Sequence, residues 1–194
     1  MGGSGVDTFS PDGKFIVDGT ILLGGEKQPP LHDVYQKAAA EVTQTALPDN
    51  IAKELRFFVG EWTVEGEVLG MALKGRWSAR WSPQRHCLLI TYPLTLDVKE
   101  IFGNGVMGWD TANKEVLTQI FYSNGVMETV RYTVESPGIF KGVFVGSAEG
   151  EAFNATCEVR TKRPNEWTFK TTGHTVGGKQ KGELSARFGR VGGK

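Results

Sequence analysis

The chain has 194 residues, enough for one domain with an extension and cramped for two. Its 22 Lys and Arg residues balance 22 Asp and Glu residues, so no net positive charge favours nucleic acid or an anionic membrane surface. Hydrophobic residues make up 39% of the sequence, and no apolar run approaches the roughly 18 residues that a membrane-spanning helix needs. The composition predicts a soluble globular protein without nucleic-acid partners or a membrane span.

The start of the chain bears on its compartment. Residues Met1 to Gly5 lack the basic and then apolar pattern of a signal peptide, which predicts a cytoplasmic protein for the chain as given. The same residues resemble a flexible artificial leader that has replaced a native signal peptide, which would make the mature protein secreted or periplasmic. The compartment therefore stays open.

Residues 1–50 are predicted to form an N-terminal extension. Asp18-Gly19 is typical of a hairpin turn and has a short apolar run on either side, which predicts two paired strands around it. Beyond two prolines, apolar residues at fourfold spacing predict a helix from Leu31 to Leu47, with Asp33 as its cap.

Residues 51–194 are predicted to form the main domain. A short helix is expected from about Asn50 to Phe58, with Ile51, Leu55 and Phe58 as its buried stripe. From Gly60 onward, apolar residues recur at every second position in short runs separated by turn residues. Strands are predicted near 61–69, 72–81, 86–93, 105–110, 115–123, 126–135, 139–147, 151–160, 165–172 and 181–190.

The succession of hairpins predicts the architecture. A meander of ten strands has two unpaired edges, and closure into a barrel removes both of them. The fold class is therefore predicted to be mainly β, an antiparallel up-and-down barrel of about ten strands with an N-terminal helical arm.

A family resemblance agrees with this prediction. The sequence from Leu55 to Trp62 leads a short helix into Gly-x-Trp and a first strand, which resembles the opening of calycin barrels such as lipocalins, fatty-acid-binding proteins and nitrobindins. From Leu55 to Arg190, about 70% of the chain, the sequence is similar to an uncharacterised bacterial family of lipocalin-like barrels, a domain of unknown function. Sequences of that family open with Gly-Glu-Trp, and the stretch from Gly105 to Asp110 matches their central Gly-x-x-Gly-Trp/Tyr-Asp.

The resemblance implies roles for three residues. In lipocalins, the tryptophan of Gly-x-Trp plugs the closed end of the barrel, and an arginine of the last strand packs across its ring. Trp62 would be this plug, and the matching cation would be Arg187 or Arg190, because a guanidinium stacked on an indole is a favourable contact. A ligand cavity would lie at the opposite end. The family has no settled activity to transfer.

Two other motifs give weaker signals. Gly103-Asn-Gly105-Val-Met-Gly108 matches the letters of a dinucleotide-binding fingerprint, but a strand follows it instead of the required helix, so a hairpin or bulge is predicted. Cys87 and Cys157 lie in separate strand-like runs, which favours two buried thiols and leaves a disulfide across the barrel open.

The histidines predict neither a metal site nor a cofactor. His32, His86 and His174 lie far apart in the chain, and none has a second ligand at metal-binding spacing. The nitrobindin resemblance raises a haem hypothesis, but the corresponding strand has no histidine. His174 precedes that strand in a glycine-rich stretch, where a solvent-exposed loop position is predicted.

Candidate pocket residues are the aromatic side chains of the strands and the charged residues that alternate with them. They are Trp77, Arg80, Trp81, Tyr92, Trp109, Tyr122, Glu128, Arg131 and Tyr132. A few inward polar groups would orient a ligand in an otherwise apolar pocket. The opposing interpretation places Arg76, Arg80 and Glu128 on the outer face, because charged side chains are rarely buried without a partner.

Three functional hypotheses follow. The first is a barrel that binds a small apolar or lipid-like molecule. The second is an enzyme for a cyclisation or isomerisation, because a buried Glu beside a Tyr can act as an acid or base. The third is a barrel filled by its own side chains that works as an interaction module. That filling would come from Trp77, Trp81, Trp109, Phe121, Phe144 and Trp167.

Overall fold

The structure of the chain is a computed structural model. It describes the strand backbone of residues 2–9, 14–23, 26–27 and 31–36, and the chain from Leu47 to Gly192 apart from the side chain of Lys162. The chain divides into two compact units, residues 1–45 and 46–194. The predicted short helix belongs to the second unit.

The described residues of the first unit form four strands that pair around the second of them. These are β1 (Gly2–Phe9), β2 (Lys14–Leu23), β3 (Glu26–Lys27) and β4 (Leu31–Gln36). All pairings with β2 are antiparallel. The glycine-rich start of the chain is therefore part of a strand.

Two predictions for the first unit are wrong. Asp18-Gly19 lies inside β2, where Gly19 pairs with Gly5 on one side and with Leu31 on the other, so two ladders override the local turn preference. The predicted helix from Leu31 to Leu47 begins as the strand β4, in which Asp33 pairs with Val17 and caps no helix. Residues 37–46 of that predicted helix lie outside the described residues.

The short helix is confirmed. Helix α1 spans Asp49–Phe58, and its buried residues are Ile51, Leu55 and Phe58. Spacings of four and three residues place these side chains on one face, which packs into the core of the second unit. With ten residues, α1 is too short to cross a membrane, and no other helix occurs in the part of the chain that the structure describes.

The second unit is a closed antiparallel barrel, as predicted. Ten strands form its wall in the cyclic order β12-β11-β10-β9-β8-β7-β6-β5-β15-β13, and a β12–β13 pairing closes the ring. Each of the ten predicted strands overlaps one of them, and a two-residue strand, β14, adds to β13. The bounds are β5 Gly60–Val68, β6 Met71–Trp81, β7 Cys87–Leu96, β8 Lys99–Asp110, β9 Glu115–Tyr122, β10 Met127–Ser136, β11 Ile139–Ala148, β12 Glu151–Arg163, β13 Glu166–Val176, β14 Lys179–Gln180 and β15 Leu184–Arg190.

Helix α1 lies at one end of this barrel, which we call the closed end. Phe58 packs its ring 5.3 Å from that of Trp167 and 5.6 Å from that of Phe140, measured between centroids. The Glu54 carboxylate accepts a hydrogen bond from the backbone N–H of Gly138 at 3.0 Å, which ties the helix to the β10–β11 turn. The other end, where β5 ends and β6 begins, is called the open end.

Trp62 and Arg190 complete the closed end. Trp62 is fully buried and donates its indole N–H to the carbonyl of Phe58 at 3.0 Å. The Arg190 guanidinium lies 4.1 Å from the centroid of the Trp62 ring and donates to the carbonyls of Phe57 and Val59 at 2.8 and 2.9 Å. Of the two arginines that the resemblance offered, Arg190 thus contacts Trp62. Arg187 is exposed and pairs with Glu166 instead.

Strand β8 is longer than predicted. It begins at Lys99 and not near residue 105, because the chain turns at Asp97 and Val98 without the glycine or proline that usually marks a turn. The three glycines of the fingerprint-like motif lie within β8 and form no hairpin or bulge. At Gly105, an added Cβ would lie 2.1 Å from the Gln119 carbonyl oxygen, so the glycine permits close approach of β9.

Both cysteines are free thiols, and no disulfide joins them. Cys157 is buried and Cys87 is half-buried. Burial raises the pKa of the Cys157 thiol to about 12, with a further contribution from the nearby carboxylate of Glu128. Cys157 is therefore an unreactive, protonated thiol at neutral pH.

Candidate ligand-binding cavity

The barrel encloses a cavity of about 1020 Å³. It extends from a group of aromatic rings near α1 to the turns at the open end. Most of its wall consists of the inward-facing aliphatic and aromatic residues of the strands. The side chains therefore do not fill the barrel.

Aromatic rings form the floor of the cavity, towards the closed end. Trp167 and Phe188 stack with their ring centroids 3.4 Å apart and their planes 7° from parallel. Trp77 meets Trp167 edge to face at 5.5 Å, and Phe58 from α1 fills the space beneath them. This floor is apolar, and well-packed aromatic contacts hold it in place.

Glu128 and three tyrosines form a polar group on the cavity wall. Glu128 and Tyr132 come from β10, Tyr92 from β7 and Tyr122 from β9, and all four side chains line the cavity. The rings of Tyr92 and Tyr122 lie 6.2 Å apart. Tyr122 also forms a side-chain hydrogen bond with Glu128.

The environment of Glu128 changes its acidity. Burial raises the pKa of the Glu128 carboxyl to about 7, and the hydrogen bond with Tyr122 offsets part of this rise. Burial also raises the pKa values of Tyr92, Tyr122 and Tyr132, and the nearby Glu128 charge adds to each increase. Near neutral pH, Glu128 thus exchanges a proton within a group of neutral phenols.

His174 on β13 is the second polar feature of the wall. Its side chain is 4% exposed and lies against the rings of Phe144 and Phe153. Its Nδ1 donates to the carbonyl of Gly182 at 3.2 Å, whereas Nε2 is buried without a hydrogen-bond partner. In the neutral ring with the proton on Nδ1, Nε2 is an acceptor.

A β-bulge turns His174 into the cavity. From Trp167 to Thr171 every odd-numbered side chain of β13 is buried, but beyond Gly173 the buried position is His174. Between the pairs Asn154–Thr175 and Thr156–Thr172, β13 has one residue more than β12. Gly173, with φ of +65°, lies in this extra segment, in a conformation that favours glycine.

Two further polar atoms of cavity-lining residues are buried without partners. They are the hydroxyl of Thr118 on β9 and the indole N–H of Trp167 on the floor. Buried polar groups normally have hydrogen-bond partners, and leaving one unsatisfied costs about 1–3 kcal/mol. Together with Nε2 of His174, these atoms are candidates for contacts with a bound molecule.

Charged and polar residues surround the open end of the cavity. They are Lys99, Glu100, Asn124, Glu149, Glu151 and Lys181, and all of them are exposed. The cavity thus has a polar rim, an apolar floor and a small polar group on the wall between them. This arrangement fits an amphipathic ligand.

The structure brings together five of the nine predicted pocket residues. Trp77, Tyr92, Tyr122, Glu128 and Tyr132 all line the cavity. The interpretation that favoured the outer face is therefore wrong for Glu128, whereas Arg76 and Arg80 do lie on that face.

The other four predicted residues lie outside the cavity wall. Arg80 and Arg131 point outward because they have the opposite strand parity to the core, and Arg131 pairs with Glu115 at 2.9 Å. Trp81 and Trp109 pack against the core at the closed ends of β6 and β8, beyond the aromatic floor. The prediction of an exposed loop position for His174, which was not among the nine, is also wrong.

Comparisons with known proteins identify no family. No family model matches the chain, and no curated protein matches it. Among solved structures, the redesigned β-barrel mFAP0 bound to DFHBI is 18% identical with a TM-score of 0.41, and the match covers 69% of this chain and 99% of that one. The structure of EF1p2_mFAP2b bound to DFHBI is 16% identical with a TM-score of 0.43, covering 72% of this chain and 98% of that one. TM-scores below 0.5 give no information about the function of this chain, so the cavity itself is the basis for inferring it.

Proposed function

We propose that this barrel binds one small, mostly apolar molecule. The observation that carries the proposal is the cavity of about 1020 Å³, which reaches the upper end of the range of roughly 300–1,000 Å³ for small-molecule sites. Its apolar walls favour burial of hydrocarbon at about 25 cal/mol per Å². The polar group around Glu128 and the free Nε2 of His174 then orient the polar end of the ligand.

The cavity also separates this proposal from the filled-barrel hypothesis. Of the six aromatic residues expected to fill the barrel, Phe121 is 58% exposed on the outer face, and Trp81 and Trp109 lie beyond the floor. The remaining three contribute to a wall around empty space. A binding function uses this space, whereas an interaction module does not require it.

A titration with an uncharged dye tests the proposal. N-phenyl-1-naphthylamine emits more strongly in apolar surroundings, and we expect its emission to rise with one dye bound per chain. Ala148→Trp places an indole at the mouth on the inner face of β11 and should weaken binding at least about tenfold. Val143→Trp adds the same group on the outer face of β11, where Val143 is 49% exposed, and should leave binding unchanged. No saturable binding, or equal loss in both variants, would overturn the proposal.

A second candidate function rests on the acidity of Glu128. A carboxyl with a pKa of about 7 next to a tyrosine hydroxyl, on the wall of a mostly apolar cavity, has the properties of a general acid or base. This agrees with the hypothesis of a cyclisation or isomerisation. Native mass spectrometry of freshly purified protein, followed by analysis of any co-purified molecule before and after incubation, distinguishes the two: a carrier returns its ligand unchanged.

A further inference from the structure

We propose that the ligand of this cavity is an organic cation, an amine with an apolar body whose ammonium group binds beside Glu128. This inference rests on the proposed function and specifies its ligand class. It predicts that the ammonium group lies among the tyrosines near the open end and that the apolar body extends towards the aromatic floor.

The distribution of charge in the cavity is the first observation that favours a cationic ligand. The cavity-lining residues include four glutamates but only two lysines, Lys99 and Lys181, and no arginine, and both lysines are exposed at the rim. Glu128 is the carboxylate on the inner wall. Among the residues that the structure describes, no Lys or Arg forms an ion pair with it. A carboxylate inside an apolar cavity is costly without a partner, and a cationic ligand supplies one.

The neighbours of Glu128 are the second observation that favours a cationic ligand. The titratable groups whose interactions involve it are Tyr92 on β7, Tyr122 on β9, Tyr132 on β10 and Cys157 on β12. All four are acids whose charged forms are negative, and burial raises their pKa values further above the ordinary ones, so they are neutral near pH 7 and none of them balances the charge of the carboxylate. Tyrosine ring faces attract ammonium groups, and the rings of Tyr92 and Tyr122 stand 6.2 Å apart on this wall.

The hydrogen-bonding capacity of the wall is the third observation that favours a cationic ligand. An alkylammonium group only donates hydrogen bonds, and it therefore requires acceptors. Glu128 provides carboxylate oxygens, and Nε2 of His174, which has no partner, is an acceptor when the ring is neutral. The pairs Glu128–Gly146 and Gly146–Phe153 place Glu128 level with Phe153, whose ring contacts His174, so both acceptors lie towards the open end.

The same features disfavour a fatty acid. A bound carboxylate would be repelled by the charge of Glu128, and among the described residues no Lys or Arg lies on the inner wall to attract it. The unpartnered indole N–H of Trp167 lies on the floor among aromatic rings and far along the strand from the rim, and the unpartnered hydroxyl of Thr118 on β9 carries no charge. An uncharged alcohol can hydrogen-bond to the same acceptors, but it lacks the added attraction of opposite charges.

Calorimetric titration with three probes of equal chain length tests the inference. We expect n-octylamine to bind at least about tenfold more tightly than 1-octanol at pH 8, because a hydrogen bond to a charged group is stronger than a neutral one. Octanoate should bind more weakly than 1-octanol. Glu128→Gln should reduce the affinity for octylamine to that for octanol, whereas Glu67→Gln, which removes an exposed carboxylate from the outer face of β5, should preserve the order.

The outcomes separate this inference from the proposed function. If octanol binds but octylamine shows no preference, or if Glu128→Gln leaves the preference intact, the cationic ligand is wrong and the apolar binding site stands. If octanoate binds most tightly, the inference is also overturned. If none of the three probes binds and the uncharged dye does not bind either, the proposed function itself fails.

Discussion

Glu128 illustrates what strand parity and residue type each predict. Along β10, Val130 and Tyr132 are buried and Arg131 is exposed, so the parity of the strand directs Glu128 inward. The preference of glutamate for solvent predicts an outward position for Glu128, and this prediction is wrong. Parity prevails because every second side chain of a closed barrel points inward, whatever its polarity.

The acidity of Glu128 predicts a pH-dependent stability. Its folded-state pKa of about 7 lies above the ordinary value of 4.5, so its contribution to stability is fully present below about pH 4.5 and is lost as pH rises through 7. We expect Glu128→Gln to abolish this loss and to gain up to about 3 kcal/mol over the natural chain between pH 5 and pH 8. Urea unfolding at several pH values measures it. Glu100→Gln is the control, and parallel pH profiles for Glu128→Gln and the natural chain would contradict the prediction.

Arg190 predicts a large effect at the closed end. Arg190→Met removes the guanidinium from the Trp62 ring and its hydrogen bonds to the carbonyls of Phe57 and Val59. We expect a loss of about 2–4 kcal/mol in the free energy of unfolding, because these carbonyls lose their charged donor.

Arg187→Met is the matched control for Arg190→Met. Both arginines belong to β15, but Arg187 forms an exposed ion pair with Glu166, and such pairs contribute little to stability. Equal losses of stability in chemical denaturation would show that the contact between Arg190 and Trp62 is not what stabilises this end.

At the scale of elements, turn chemistry explains where prediction from the sequence succeeded. Pairs such as Glu149-Gly150 separate the strands, and Gly150 has a φ of +82°, which glycine adopts readily. The turn at Asp97 and Val98 lacks this signal and was missed. Pro93 marked the predicted end of β7, yet β7 continues through it because the β6–β7 pairing is interrupted at that point while the β7–β8 pairing persists.

The bulge in β13 could not be predicted from alternation alone. A single extra residue reverses the parity of everything beyond it, and the sequence shows only a glycine followed by a histidine. His174 was therefore assigned to a solvent-exposed loop. The signal that could have identified it is the glycine itself, since an isolated glycine within a strand pattern often marks a bulge.

The bulge carries a prediction of its own. Gly173→Ala places a side chain at a φ of +65°, which should cost about 1–2 kcal/mol of stability and shift His174. Gly150→Ala is the control, because Gly150 has a φ of +82°. At both glycines, an added Cβ would have no other atom within 4 Å. We expect similar losses of stability for both variants, but weaker dye binding only for Gly173→Ala. Equal dye affinity in the two would show that the bulge does not shape the site.

At the scale of the molecule, the two ends of the barrel have different roles. The closed end contains the helix, the fully buried Leu55 and Trp62, and most of the aromatic contacts. The open end contains the charged rim and the mouth of the cavity. Hydrophobic periodicity predicted the barrel and the helix, whereas the size of the cavity depends on how side chains from ten strands meet, which no local pattern encodes.

The difference between the two ends predicts which side-chain truncations the second unit tolerates. Leu55→Ala should destabilise the second unit by about 2–5 kcal/mol, because it empties a fully buried site between α1 and the barrel. Arg56→Ala, at an exposed position of the same helix, should have little effect on the midpoint of thermal unfolding. A small effect of Leu55→Ala would show that the barrel closes without α1.

The short turns at the open end have a kinetic consequence. Within residues 47–192, four of the five connections there have two to four residues, as at Leu69-Gly70 and Glu149-Gly150, and the fifth, residues 177–183, is tied to β13 through β14. Entry of a ligand then requires no slow rearrangement of these turns, and the observed rate in rapid mixing should increase linearly with ligand concentration. Related ligands would enter at similar rates, so their residence times would determine which of them the barrel retains.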